Sequence, residues 1–102
     1  MELSVLERVL LLNSLPSEGD LTTIRLIREF REELSFSEEE HALLNFVQDG
    51  QQLKWDGKGI SKDIEITAPV VKLVRATLMQ LEKQEKLNVG HISLYEKFVG
   101  EE

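Results

Sequence analysis

Residues 67–88 read TAPVVKLVRATLMQLEKQEKLN, and no other stretch of the chain constrains its fold as strongly. Thr67 suits an N-cap, and Pro69 lies just inside it, where a fixed φ matches a helix and the missing N–H costs nothing. Val70, Leu73, Val74, Thr77, Leu78 and Leu81 recur at spacings of three and four, forming one apolar stripe. A helix over this span rises roughly 30 Å, about the width of a small domain. The rest of the chain is predicted to pack against it.

Ahead of it the sequence predicts three further helices. Ser4 and Glu7 form a capping-box pair that opens the first, with Leu6, Val9 and Leu10 on its inner face. Pro16 and Gly19 end that segment with turn chemistry. Asp20 caps the second helix, whose inner side is Leu21, Ile24, Ile27, Phe30 and Leu34. Arg25, Arg28 and Arg31 step along one flank, interleaved with Glu29, Glu32 and Glu33. Such a row is either an exposed face laced with short-range ion pairs or a surface offered to a phosphate or an acidic partner. Ser37 and Glu40 form a second capping box. The third helix then carries Ala42, Leu43, Phe46 and Val47 and is predicted to stop at Asp49-Gly50. Glu38, Glu39 and Glu40 sit in its first turn, where the helix dipole favours negative charge, so they have a sufficient structural explanation.

Between residues 50 and 67 the period changes from that of a helix to two. Leu53 and Trp55 alternate with Gln52 and Lys54, and Ile64 and Ile66 alternate with Asp63 and Glu65. With Asp56-Gly57-Lys58-Gly59 as the turn, residues 51–66 are predicted to form one β-hairpin. After the long helix, Asn88 is expected to cap a short fifth helix bearing Ile92, Leu94, Tyr95 and Phe98. The expected architecture is therefore α+β and α-rich. It has about five helices and one hairpin in a single compact domain over residues 1–102.

Composition narrows the function classes. Apolar residues make up 41% and charged residues 30% of the chain, the profile of an ordinary globular protein. No run approaches the ~18–20 apolar residues of a membrane span, so no membrane role is expected. The first fifteen or so residues are too short and too acidic for a signal peptide, and cysteine is absent. A cytoplasmic location follows as the expectation. The formal charge of −7 is unevenly spread: residues 1–50 carry −7, residues 51–86 carry +2 and residues 87–102 carry −2. A nucleic-acid footprint is basic, and only the middle third leans that way. The acidic half either keeps the surface solvated, faces a basic partner, or mimics nucleic acid.

No catalytic, metal or cofactor signature emerges. His41 and His91 are the two histidines, with none of the convergent ligand spacing that a zinc or iron site needs, and both are expected at the surface. A Ser–His–Asp arrangement lacks a strained nucleophile turn or a Gly-rich oxyanion loop. Gly57-Lys58-Gly59-Ile60-Ser61-Lys62 fails the phosphate-loop pattern, because its glycines fall at a hairpin tip. No cofactor is expected.

The order of three helices, hairpin and long helix is that of a winged-helix regulator with an added dimerisation helix. In that reading residues 37–48 would enter the major groove, and Lys54, Lys58 and Lys62 would mark the wing. The leading turn of a recognition helix meets the bases, and here it carries three glutamates. Nucleic-acid binding is therefore disfavoured.

Four stretches, LLNSLPSEG (11–19), EELSFSEEEHA (32–42), KDIEI (62–66) and KLNVGHISLYEKFV (86–99), together resemble a group of small uncharacterised proteins encoded by bacteriophages and prophages. The resemblance implies a virus-encoded product acting in a host bacterial cytoplasm, and it brings no catalytic residues with it. The function expected is a non-enzymatic interaction or regulatory protein with a protein partner. Val71, Ala76 and Met79 on the long helix supply a second apolar line for a homodimer. Candidate contacts are Arg25, Arg28, Arg31, Lys54, Lys58 and Lys62. The alternative is a winged-helix-like DNA-binding regulator using the 51–66 hairpin. An enzyme acting on a phosphorylated substrate near the arginine row comes third.

Overall fold

The computed structural model describes residues 1–50, 52–56 and 60–100. In chain order its elements are β1 (Glu2–Ser4), α1 (Val5–Ser14), α2 (Leu21–Leu34), α3 (Glu38–Leu44), β2 (Val47–Asp49), β3 (Gln52–Lys54), β4 (Ser61–Asp63), α4 (Ala68–Lys83) and α5 (His91–Phe98). The five helices and the α-rich α+β architecture match the expectation. The radius of gyration is 13.9 Å, close to the ~13 Å of a compact chain of about this length. Among the described residues no helix is long and apolar enough to cross a membrane.

Both capping boxes form. The Ser4 hydroxyl accepts from the Glu7 N–H at 3.2 Å while Glu7 Oε1 accepts from the Ser4 N–H at 2.9 Å. Ser37 and Glu40 repeat the exchange at 3.1 and 3.0 Å. Asp20 accepts from the Thr23 N–H at 2.7 Å, and that bond holds its carboxyl below the usual carboxylate range. Each pairing satisfies donors that a helix start otherwise leaves orphaned.

The strands pair differently from the expected 51–66 hairpin. β2 pairs with β3 in the register Val47↔Lys54, Gln48↔Leu53 and Asp49↔Gln52. β4 pairs instead with β1, in the register Glu2↔Asp63, Leu3↔Lys62 and Ser4↔Ser61. Both sheets are two-stranded and antiparallel. Two local features redirect the chain. Asn45 ends α3 early in a left-handed conformation (φ 47°, ψ 58°), which asparagine tolerates better than most residues. That frees residues 47–49 to extend, and Gly50 at φ +64° turns the ribbon rather than capping a helix. Of the expected Asp56–Gly59 turn, residues 57–59 lie outside the described residues.

α4 is shorter than predicted. Thr67 occupies its N-cap by backbone without a side-chain bond, and the helix stops at Lys83 rather than continuing to residue 88. Glu85 takes φ 56°, and the Lys86 N–H reaches back to the Leu81 carbonyl at 2.9 Å. Gly90, not Asn88, is the residue before α5. The Asn88 side chain accepts from the Gly90 N–H at 2.9 Å and its carbonyl from the His91 N–H at 3.0 Å.

Val70, Val74 and Leu78 of α4 are buried, and around them close Leu3, Leu11, Leu15, Ile27, Phe30, Leu34, Ile64, Leu94 and Phe98. Removing this apolar surface from water is the main stabilising term. Leu10, Ile24, Ile66, Leu73 and Leu81 pack against that core half-buried. Four residues expected to face inward are exposed: Leu6 41%, Leu21 65%, Leu43 68% and Val47 50%. On α1 the buried residues include Val5, Arg8 and Leu11, and of the expected Leu6, Val9 and Leu10 it is Leu10 that packs against the core. Leu43 lies on the outer side of α3, whose buried residue is Leu44, and Val47 points out because it belongs to β2, which is exposed along its length.

Candidate functional site

The six residues singled out from the sequence do not converge. Arg25, Arg28 and Arg31 lie exposed along α2. Arg31 Nη1 donates to the Leu12 carbonyl at 3.0 Å, which ties α2 to the end of α1. Lys54 is paired with Asp49 at 3.1 Å. Lys62 on β4 is half-buried and donates to the Glu33 carbonyl at 3.0 Å, near the C-terminal end of α2, where the helix dipole favours a cation. Lys58 lies outside the described residues. The expected wing of residues 51–66 is absent as a unit because Lys54 and Lys62 stand on separate sheets.

Two charged residues of α1 are deep in the structure: Arg8, which had no role from the sequence, and Glu7, expected only as a capping-box partner. Arg8 is fully buried. Its Nε donates to the Leu34 carbonyl at 3.1 Å, and Nη2 to the Ser35 carbonyl at 2.6 Å. Its fork engages Glu40 through Nη1–Oε2 at 2.6 Å and Nη2–Oε1 at 3.2 Å. The guanidinium carbon lies 3.9 Å above the centre of the Phe36 ring. These contacts draw the last carbonyls of α2 and the first turn of α3 onto α1. Hydrogen bonding from Arg8 lowers the Glu40 pKa to about 2, against a smaller opposing effect of burial. The signal was present in the sequence: Glu7 and Arg8 together interrupt an otherwise apolar run from Val5 to Leu12.

Glu7 is buried on the other side of α1. Burial pushes its pKa up, but bonds from Lys97, the Ser4 N–H and the neighbouring Ser93 outweigh that and hold it low. Lys97 Nζ donates to Oε1 at 2.8 Å and to the Glu2 carbonyl at 2.8 Å, so α5 is fastened to β1 and α1 by one ammonium. Oε2 makes no hydrogen bond of ordinary geometry. Arg8 and Glu7 are thus structural charges, retained inside because each has a partner.

His91 is 5% exposed, not the surface histidine expected. Its Nδ1 accepts from the Asn88 N–H at 3.1 Å, and the Ser14 hydroxyl lies 3.5 Å from Nε2. With Nδ1 used as an acceptor, the neutral ring carries its proton on Nε2 and presents N–H to Ser14. A base for a serine nucleophile needs the opposite tautomer. Burial lowers the His91 pKa, which favours this neutral form. His41 does lie at the surface, with ring contacts to Phe36 at 6.1 Å and Phe46 at 5.4 Å between centroids. Among the described residues no group of three or more His, Asp or Glu could hold a metal ion.

A concavity of about 810 Å³ opens between α4 and α5, lined on one side by Arg75, Met79 and Glu82 and on the other by Ile92, Tyr95 and Glu96. Tyr95 Oη donates to Glu82 at 2.5 Å across it. Met79 is 45% exposed and Ile92 56%. Arg75, Met79 and Glu82 share a helix face at spacings of four and three, as Ile92 and Glu96 do on α5. Arg75 and Glu96 make no ion pair among the described residues. Comparison of the chain with protein families, with curated proteins and with solved structures found no match to any of them.

Proposed function

We propose that this protein is a small non-enzymatic interaction protein that works through protein–protein contacts and pairs with itself through the α4–α5 groove. The observation that carries the reading is the groove's make-up. Met79 and Ile92 stand exposed at its centre, with the cation Arg75 on α4 and the anion Glu96 on α5. A two-fold interface brings the same patch together twice, so a patch with both signs of charge around an apolar middle complements itself. Arg75 of each copy would then face Glu96 of the other. On the resemblance set out above, we place this activity in a bacterial cytoplasm as a phage accessory or regulatory function.

Sedimentation at rising concentration tests the pairing. The expected result is a dimer that Ile92→Glu dissociates, and that Arg75→Glu weakens and Arg75→Glu/Glu96→Arg restores. A mass that stays monomeric up to ~100 μM, corresponding to a contact weaker than about −5.5 kcal/mol, would refute it.

A further inference from the structure

The β2–β3 ribbon is a two-stranded sheet that stands outside the core cluster. Every described residue of both strands is exposed, and among the described residues neither strand has a second neighbour, so each keeps a free edge there. Two-stranded ribbons standing alone are marginal in water. This one is held at its base, where Phe46 packs on Phe36 at 5.0 Å and on Trp55 at 6.0 Å between centroids, and the Asp56 N–H donates to the Leu44 carbonyl at 2.7 Å.

The register sorts its side chains. Leu53 lies with Gln48 on one face, the side on which Phe46 and Trp55 continue. Val47, Asp49 and Lys54 share the other, with Asp56 next along. A concavity of about 470 Å³ is lined by Asn45, Val47, Leu53, Lys54, Trp55 and Asp56. Charge here is mainly negative. Residues 37–56 hold five carboxylates and a single lysine. Lys54 is taken by Asp49 and Glu40 by Arg8, while Glu38, Glu39 and Asp56 make no ion pair among the described residues.

We propose that this ribbon receives an extended basic segment of a partner protein, which adds as a third strand along a free edge. Main-chain hydrogen bonds supply the pairing. Alternation does the rest: apolar side chains of the incoming strand continue the Leu53–Trp55 face, and lysines or arginines continue the face of Asp49 and Asp56. Their methylene stems lie over Val47. The proposal rests on the reading of the chain as an interaction protein, but it uses no residue of the α4–α5 groove.

Trp55 is the chain's one tryptophan and reports on the site directly. The probe is a short capped peptide alternating lysine and valine, titrated against the full chain and read by Trp55 emission. Saturable binding is expected, about tenfold weaker in Asp56→Lys and sharply dependent on salt. N-methylation of alternate peptide amides should abolish it, and a glutamate–valine peptide should not bind. Ile92→Glu, which targets the groove, should leave the affinity unchanged. Absence of saturable binding overturns the proposal, as does equal affinity for the N-methylated or acidic peptide. A Trp55 change that follows protein concentration without any peptide assigns the ribbon to a second copy instead, and equally overturns it. Circular dichroism checks that Asp56→Lys is folded; Val47→Lys, also exposed and on the face of Asp49, serves as a second variant and should likewise weaken binding, and unchanged affinity in both variants overturns the proposal.

Discussion

Arg8 of α1 and Glu40 of α3 meet in a two-pronged ion pair, at 2.6 and 3.2 Å, with the guanidinium wholly removed from solvent. Three helices depend on this one contact, since Arg8 also holds the Leu34 and Ser35 carbonyls at the end of α2. Removing one partner leaves an uncompensated buried charge, whereas removing both does not. Glu40→Gln leaves the buried guanidinium without its counter-charge and should therefore cost ~3–5 kcal/mol. Arg8→Met orphans the Leu34 and Ser35 carbonyls, at ~1–3 kcal/mol each, while Glu40, partly open to solvent, can turn to water. Urea denaturation of both variants and of the double mutant should give a total smaller than the sum. Simple additivity would show that the pair does not act as a unit.

Acid should destabilise the fold in two stages. The His91 pKa lies below its ordinary 6.5 because the ring is buried, so the unfolded chain takes up the proton first. Stability is full above that value and falls as pH drops below it. His91→Asn, whose Oδ1 can accept from the Asn88 N–H, should flatten this first stage. Glu40 drops from 4.5 to about 2 on folding, so its contribution is complete above pH 4.5 and is lost on the way down to about 2. Glu7, also lowered, adds in the same direction. Melting temperature against pH for wild type and His91→Asn measures both stages, and unchanged curves above pH 5 in the two proteins would refute the first.

Leu78 on α4 is fully buried and Leu43 on α3 is 68% exposed, although their sequence contexts look equally apolar. Leu78→Ala should cost ~2–5 kcal/mol through the cavity it leaves. Leu43→Ala should stay within about 0.5 kcal/mol. Equal losses in the two variants would mean that α3 is seated more deeply than the structure places it.

The contrast also marks what the sequence could tell. Helix starts were legible because caps are local: Ser4, Asp20 and Ser37 each act within three residues of themselves. The stripe on α4 was legible because Val70, Val74 and Leu78 recur at a spacing of four over several turns. α1 was not, since Val5, Leu6, Val9, Leu10, Leu11 and Leu12 supply two apolar faces, and Arg8 marks the inner one only once its distant partner is known. Strand pairing failed for the same reason. Residues 61–63 chose β1, near the start of the chain, and no local turn signal encodes a partner that remote. The groove between α4 and α5 depends on the sharp reversal at Glu85, a residue with nothing in its identity to announce a positive φ.

Gly90 closes the loop between those helices, and its lack of a side chain is used. A Cβ there would lie 3.0 Å from Leu10 Cδ1, 3.1 Å from the Asn88 side-chain oxygen and 3.3 Å from Leu6 Cδ2. Its φ of −65° suits any residue, so backbone strain plays no part. Alanine would gain ~0.4–1 kcal/mol by restricting the unfolded chain. Against this, Leu6 can swing outward because it is already 41% exposed, but Leu10 is packed against the core. Crowding of Leu10 and of the Asn88 cap should outweigh the entropic gain, so that Gly90→Ala loses about 1 kcal/mol net. Gly90→Val should lose more. Shortening the neighbour tests the cause: in a Leu10→Val background the penalty of Gly90→Ala should shrink or change sign. An undiminished penalty there would assign the effect to the Asn88 cap rather than to packing between the α4–α5 loop and α1.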